Sequence, residues 1–75
     1  MYYTYILQSL VDKNFYTGYT SDLKSRFKKH NDGKVISTKY RRPFVLIYYE
    51  ACLRQEDAIK LSNFYGYSIK SERLH

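Results

Sequence analysis

The chain opens with two segments of strand-forming residues. Tyr2 to Gln8 and Asn14 to Thr20 are rich in Tyr, Thr, Ile and Leu, which suit a pleated, half-buried surface. Between them, Asp12-Lys13 supplies the polar pair expected of a turn, so the two segments are predicted to form an antiparallel hairpin. With a two-residue turn at Asp12-Lys13, Tyr3, Tyr5 and Leu7 share a face with Asn14, Tyr16, Gly18 and Thr20. Any turn with an even number of residues preserves that pairing of faces, whereas a one-residue slip reverses it.

Thr20-Ser21-Asp22 then offers side-chain oxygens for the free N–H groups of a helix start, and a helix is predicted from Asp22 to His30. Leu23 and Phe27, four apart, form its apolar stripe, with Lys24 and Lys28 pointing away and Asn31-Asp32-Gly33 ending it. Arg26 and His30 are also four apart and share a face. At about 100° per residue both fall on the border of the apolar stripe. Lys34 to Arg42 has no period and reads as a basic loop closed by Pro43. Phe44 to Glu50 is an apolar run of strand length, predicted to be the central and most buried strand. A second helix is predicted from Arg54 to about Phe64, with Gly66 breaking it; Tyr67 to His75 has no clear assignment.

The chain has 75 residues, the size of one small domain over 1–75, and it lacks room for separate cofactor and substrate lobes. Its net charge is +6, and ten positions are Tyr, too aromatic for a disordered basic tail. The single cysteine, Cys52, forms no internal disulfide, and its apolar neighbours favour a packing role. A reducing, cytoplasmic setting is expected, with no apolar run long enough for a membrane span and no signal-peptide pattern at the start. The charge is concentrated: Lys24, Arg26, Lys28, Lys29, Lys34, Lys39, Arg41 and Arg42 stand against Asp32 alone between positions 24 and 49, while the two flanks nearly balance. A basic block beside aromatics is the footprint of a phosphate-rich partner; the plainer alternative is a solvated helix face and loop.

Glycine-rich phosphate loops, nucleophile elbows and metal-spaced histidines are absent from the sequence. What remains is Tyr5, Tyr16, Arg26 and His30, with Gly18 beside the second tyrosine. Phosphodiester cleavage needs a base for water, a cation for the pentacovalent phosphorane and help at the leaving oxygen. Tyr, Arg and His can supply these, and nearby positive charge favours a phenolate. In so tyrosine-rich a chain, two tyrosines on one strand face are most often core.

Tyr3-Thr4-Tyr5-Ile6-Leu7, Phe15-Tyr16-Thr17-Gly18-Tyr19-Thr20-Ser21-Asp22-Leu23, Arg26 and His30-Asn31 together resemble the GIY-YIG nuclease superfamily. The likeness is closest to its small single-domain bacterial members, related to the N-terminal nuclease domain of an excision-repair endonuclease subunit. Ser37 to Phe44 and Leu46 to Glu50 extend it, so it covers about residues 2 to 60. The resemblance implies an α+β fold, a three-stranded antiparallel sheet flanked by helices. It implies hydrolysis of DNA phosphodiesters with Mg²⁺ or Mn²⁺, no small-molecule cofactor, and a link to DNA repair. Tyr16, or else Tyr5, would activate water; Arg26 would stabilise the phosphorane; His30 would assist proton transfer or hold the tyrosine. Gly18 would allow close backbone approach, and Lys39, Arg41 and Arg42 would grip DNA phosphates.

Two departures stand out. Tyr3 occupies the position of the first-motif glycine. More consequentially, Ser62 occupies the position of the metal-binding glutamate, in a stretch from Ala58 to Gly66 shorter than in relatives. The metal ligand is therefore not identified, and a neutral hydroxyl is a weak Mg²⁺ ligand. Three readings follow: a DNA endonuclease, a nucleic-acid-binding derivative without hydrolysis, and an RNA-binding domain whose tyrosines stack on bases.

Overall fold

Strand β1 (Tyr2–Ser9) runs up the middle of a three-stranded antiparallel sheet of order β2-β1-β3, flanked by β2 (Phe15–Thr20) and β3 (Phe44–Cys52). Helix α1 (Leu23–Asn31) follows β2, and α2 (Gln55–Arg73) follows β3, giving the expected α+β architecture. The computed structural model describes residues 1–73, with side chains through Tyr67. None of the described helices is long and apolar enough to cross a membrane.

The hairpin pairs Tyr3 with Thr20, Tyr5 with Gly18 and Leu7 with Tyr16, so the predicted common face is present. Its turn is longer than the two residues expected. Ser9 N–H donates to Asn14 C=O at 2.9 Å and Lys13 N–H to Ser9 C=O at 3.0 Å, which leaves Leu10 to Lys13 as a four-residue loop. Lys13 takes the left-handed conformation (φ 62°) that closes it. Four is even, so the faces stay as predicted.

The alternation of β1 then sorts the core. Tyr5 and Leu7 face α1, where Leu23 and Phe27 pack over them together with Phe44, Tyr16 and Leu46. Thr4 faces α2, its hydroxyl donating to Ala58 C=O at 2.7 Å. Asp22 caps α1 by accepting from Ser25 N–H at 3.2 Å, which sets the helix start one residue after the predicted position. Asn31 closes the other end against β3: its side chain donates to Phe44 C=O at 3.2 Å and accepts from Phe44 N–H at 2.7 Å. The basic loop between contains a short 3-10 turn, Lys39–Arg41.

Two expectations are overturned. The apolar run from Phe44 forms an edge strand, and only its end residues Phe44 and Cys52 are buried. The central strand is β1, because it alone is paired on both sides and covered on both faces. Ile6 faces Tyr48 while Leu7 faces Leu46, so Ile47 is the extra residue of a bulge that bends this edge. Helix α2 also continues through Gly66 to Arg73. Gly66 lies where α2 meets β2, and a Cβ there would come within 2.9 Å of the Thr17 hydroxyl. Its missing side chain permits a close helix–strand approach, which outweighs the roughly 1 kcal/mol of helix propensity it forgoes.

Candidate active site

β2 has a free outer edge, and a cleft of about 380 Å³ wraps it, lined by Tyr5, Tyr16, Thr17, Gly18, Tyr19, Arg26 and Ser62. The four residues singled out for chemistry converge beneath and beside this cleft. Tyr5 comes from the central strand and is 1% exposed. Its hydroxyl is bonded to His30 Nε2 at 3.1 Å and accepts from Arg26 Nε at 3.4 Å. Tyr16, diagonal to Tyr5 across the hairpin, stands with its ring 6.5 Å from that of Tyr5 and 5.0 Å from that of His30. It is half-buried and borders the cleft. One helical turn from Arg26, His30 is wholly buried, deeper than its position on the helical wheel suggested, because the Phe44 ring closes over it at 6.0 Å.

Burial, helped by the positive charge of Arg26, pushes the His30 imidazole down to about 4, so it is neutral at physiological pH. Burial likewise raises the Tyr5 phenol above its ordinary range, against the lowering pull of the Arg26 hydrogen bond. Tyr5 is therefore a protonated anchor here, and among the described residues Arg26 is the one charged group lining the cleft.

Gly18 lies directly opposite Tyr5. The space its side chain would fill is already taken by the Tyr5 ring, whose Cζ would be 2.6 Å from a Cβ there. The three basic loop residues separate. Arg41 is tied into the fold: its Nε donates to Asp12 Oδ2 at 2.9 Å, its Nη2 donates to Phe15 C=O at 3.4 Å, and it lies over the Phe44 ring. Arg42 Nε donates to Lys39 C=O at 2.9 Å, and its guanidinium packs against Gly33. The Lys39 ammonium sits 5.1 Å from the Tyr40 ring centre.

Sequence reasoning passed over Thr38, a buried loop hydroxyl 2.9 Å from His30 Nδ1. Nothing in local pattern marks it, since its partner lies eight residues away on the preceding helix.

The divalent cation implied by the resemblance can be tested against the donors present. Ser62 does line the cleft, where the metal-binding carboxylate was expected. The other side-chain oxygens of its lining are hydroxyls of Tyr5, Tyr16, Thr17 and Tyr19, and Arg26 adds a positive charge. No Asp or Glu lines it among the described residues, and no group of three or more His, Cys, Asp or Glu gathers anywhere among them. A hard dication favours carboxylate oxygens and is repelled by a guanidinium, so these side chains do not fit one.

Comparison with known proteins agrees with the geometry. The family model described as the GIY-YIG catalytic domain matches residues 1–72. A UPF0213 protein of Streptococcus pyogenes serotype M3 is 50% identical over 58 residues, covering 76% of this chain and 62% of that protein. Its counterpart in Streptococcus pyogenes serotype M5 is 48% identical over the same shares. The chain therefore spans less than two thirds of the length of these relatives. The UPF0213 protein in the ldhD 5′ region of Pediococcus acidilactici is 38% identical over 76 residues, covering 97% of this chain and 76% of that protein. No solved structure matches significantly. With the motif tyrosines, arginine and histidine gathered at one cleft and the family model matched across 1–72, this chain belongs to the GIY-YIG nuclease superfamily.

Proposed function

We propose that this chain acts on DNA as an endonuclease, hydrolysing phosphodiester bonds at the β2-edge cleft. The observation that carries this reading is the tethering of Arg26 through Nε to the buried Tyr5 while it lines the same cleft as Tyr16. A guanidinium held by Nε keeps its terminal nitrogens free for two phosphate oxygens, the fork geometry that suits a phosphorane. In this reading Tyr16, which borders the cleft, takes the proton of the attacking water. Tyr5 and His30 hold the arginine and do not meet substrate, because both are buried. Lys39 and Arg42 contact phosphates along the approach, whereas Arg41 supports the loop that presents them.

Nucleases of this superfamily generally use divalent ions, and the Ser62 position favours a second reading, a domain that binds nucleic acid without turning it over. Incubating supercoiled plasmid with Mg²⁺ or Mn²⁺, beside Tyr16→Phe and Arg26→Ala, separates the two. Nicking by the wild type that both variants lose supports hydrolysis; retardation without nicking at every metal concentration supports binding alone.

A further inference from the structure

A line of hydrogen bonds runs under the cleft from the basic loop to Arg26. Thr38 Oγ1 donates to Val35 C=O at 3.4 Å and lies 2.9 Å from His30 Nδ1. His30 Nε2 lies 3.1 Å from the Tyr5 hydroxyl, which accepts from Arg26 Nε at 3.4 Å. Thr38, His30 and Tyr5 are each at most 1% exposed, so water is not the partner that completes this line.

Donor accounting assigns the protons. A guanidinium only donates, so Tyr5 accepts from Arg26 and must place its own proton elsewhere. His30 Nε2 is the acceptor within reach, and a buried hydroxyl without one is costly. Nε2 therefore carries no hydrogen. The neutral imidazole holds its proton on Nδ1 and donates to Thr38, whose hydroxyl passes its own proton on to Val35 C=O. The opposite tautomer would aim Nε2–H at a phenol that already accepts from Arg26 and would strand the phenol proton. Every hydrogen in the line has a partner in the first arrangement, and one is orphaned in the second.

We infer that Thr38 is a positioning residue of this cleft: its hydroxyl accepts the Nδ1–H of the tautomer that Tyr5 and Arg26 require, so that Tyr5 stays a donor to His30 and holds Arg26 by Nε. The consequence for phosphate binding rests on the functional reading above; the tautomer assignment does not. The loop that carries Lys39, Arg41 and Arg42 thereby also sets the orientation of the arginine. Thr38 is itself held by backbone bonds, its N–H donating to Val35 C=O at 3.1 Å and its C=O accepting from Arg41 N–H at 2.9 Å.

The test uses Thr38→Val and Thr38→Ser in the full chain. Nitrogen-15 NMR of the imidazole reads the tautomer, and fluorescence anisotropy with a short DNA duplex at low salt reads affinity. The expected result is an Nδ1–H ring in the wild type at pH 7 and a gain of the Nε2–H form in Thr38→Val. With it goes roughly tenfold weaker DNA binding, the scale of one lost charge-assisted contact. Thr38→Ser restores both. An Nε2–H ring in the wild type overturns the proposal, as does a Thr38→Val chain with unchanged tautomer and affinity. If Thr38→Val fails to fold, Thr38→Ser decides: loss of the Nδ1–H form there overturns the proposal, and its retention with wild-type affinity supports it. A tautomer that responds to Thr38 in a chain with no DNA affinity removes the nucleic-acid reading and leaves the assignment standing.

Discussion

Gly18→Ala tests how tightly the site is built into the hairpin. An added Cβ would overlap the Tyr5 hydroxyl and stand 2.6 Å from Cζ and 3.2 Å from Cε1. Tyr5 has nowhere to retreat: it is packed with Leu7 and Phe44, and its hydroxyl is held by His30 and Arg26. Overpacking of this kind costs about 1–3 kcal/mol, and displacing the phenol sacrifices hydrogen bonds worth about 1 kcal/mol each. A total near 3 kcal/mol lowers the Tm of a domain this small by roughly 10–25 °C. Gly66→Ala is the internal control. Its Cβ meets one rotatable hydroxyl, Thr17 Oγ1 at 2.9 Å, and alanine regains about 1 kcal/mol of helix propensity, so it should stay within about 1 kcal/mol of wild type. Thermal unfolding followed by circular dichroism measures both. A Gly18→Ala chain within about 0.5 kcal/mol of wild type, or a Gly66→Ala chain equally damaged, would refute the reasoning.

Ser62→Glu puts a carboxylate into the cleft and should create Mn²⁺ binding, with a dissociation constant on the order of 1 mM, that wild type lacks by calorimetry. For pH, unfolded His30 takes a proton near its ordinary 6.5, whereas the folded side chain resists until about 4. Stability should therefore fall as pH drops from about 6.5 to about 4, by about 3 kcal/mol in all, and stay level on either side as far as this group is concerned. Urea midpoints across that window test this, and His30→Gln should flatten the slope. Lys39→Ala should weaken DNA binding and reduce its salt slope by about 1 without changing Tm. Arg41→Ala should instead cost about 1 kcal/mol of stability, because it breaks the contacts with Asp12 and Phe15.

The pairing of Tyr5 and Tyr16 on one face was legible because it depends only on strand period and an even turn, and the structure keeps both. Arg26 and His30 were legible as a pair through their spacing on one helix. Thr38 was not, since its contact with His30 is made by a loop folding under α1. The different fates of Lys39, Arg41 and Arg42 were also hidden, for three neighbouring cations look alike until one finds Asp12 across the hairpin.

By itself, then, the sequence determined the order of the elements, the faces of the hairpin and the residue types available for phosphate chemistry, all of which follow from local periodicity and side-chain character. Tertiary structure decided which strand is central. An apolar run such as Phe44 to Glu50 reads as buried, but burial is set by how many neighbours a strand acquires, and β1 acquired both. It also decided that Gly66 sits inside a helix, because close approach to Thr17 outweighs the glycine's weak propensity. Finally it separated the two tyrosines, burying Tyr5 under His30 and Arg26 and leaving Tyr16 at the cleft, a distinction of depth that no period along the chain encodes.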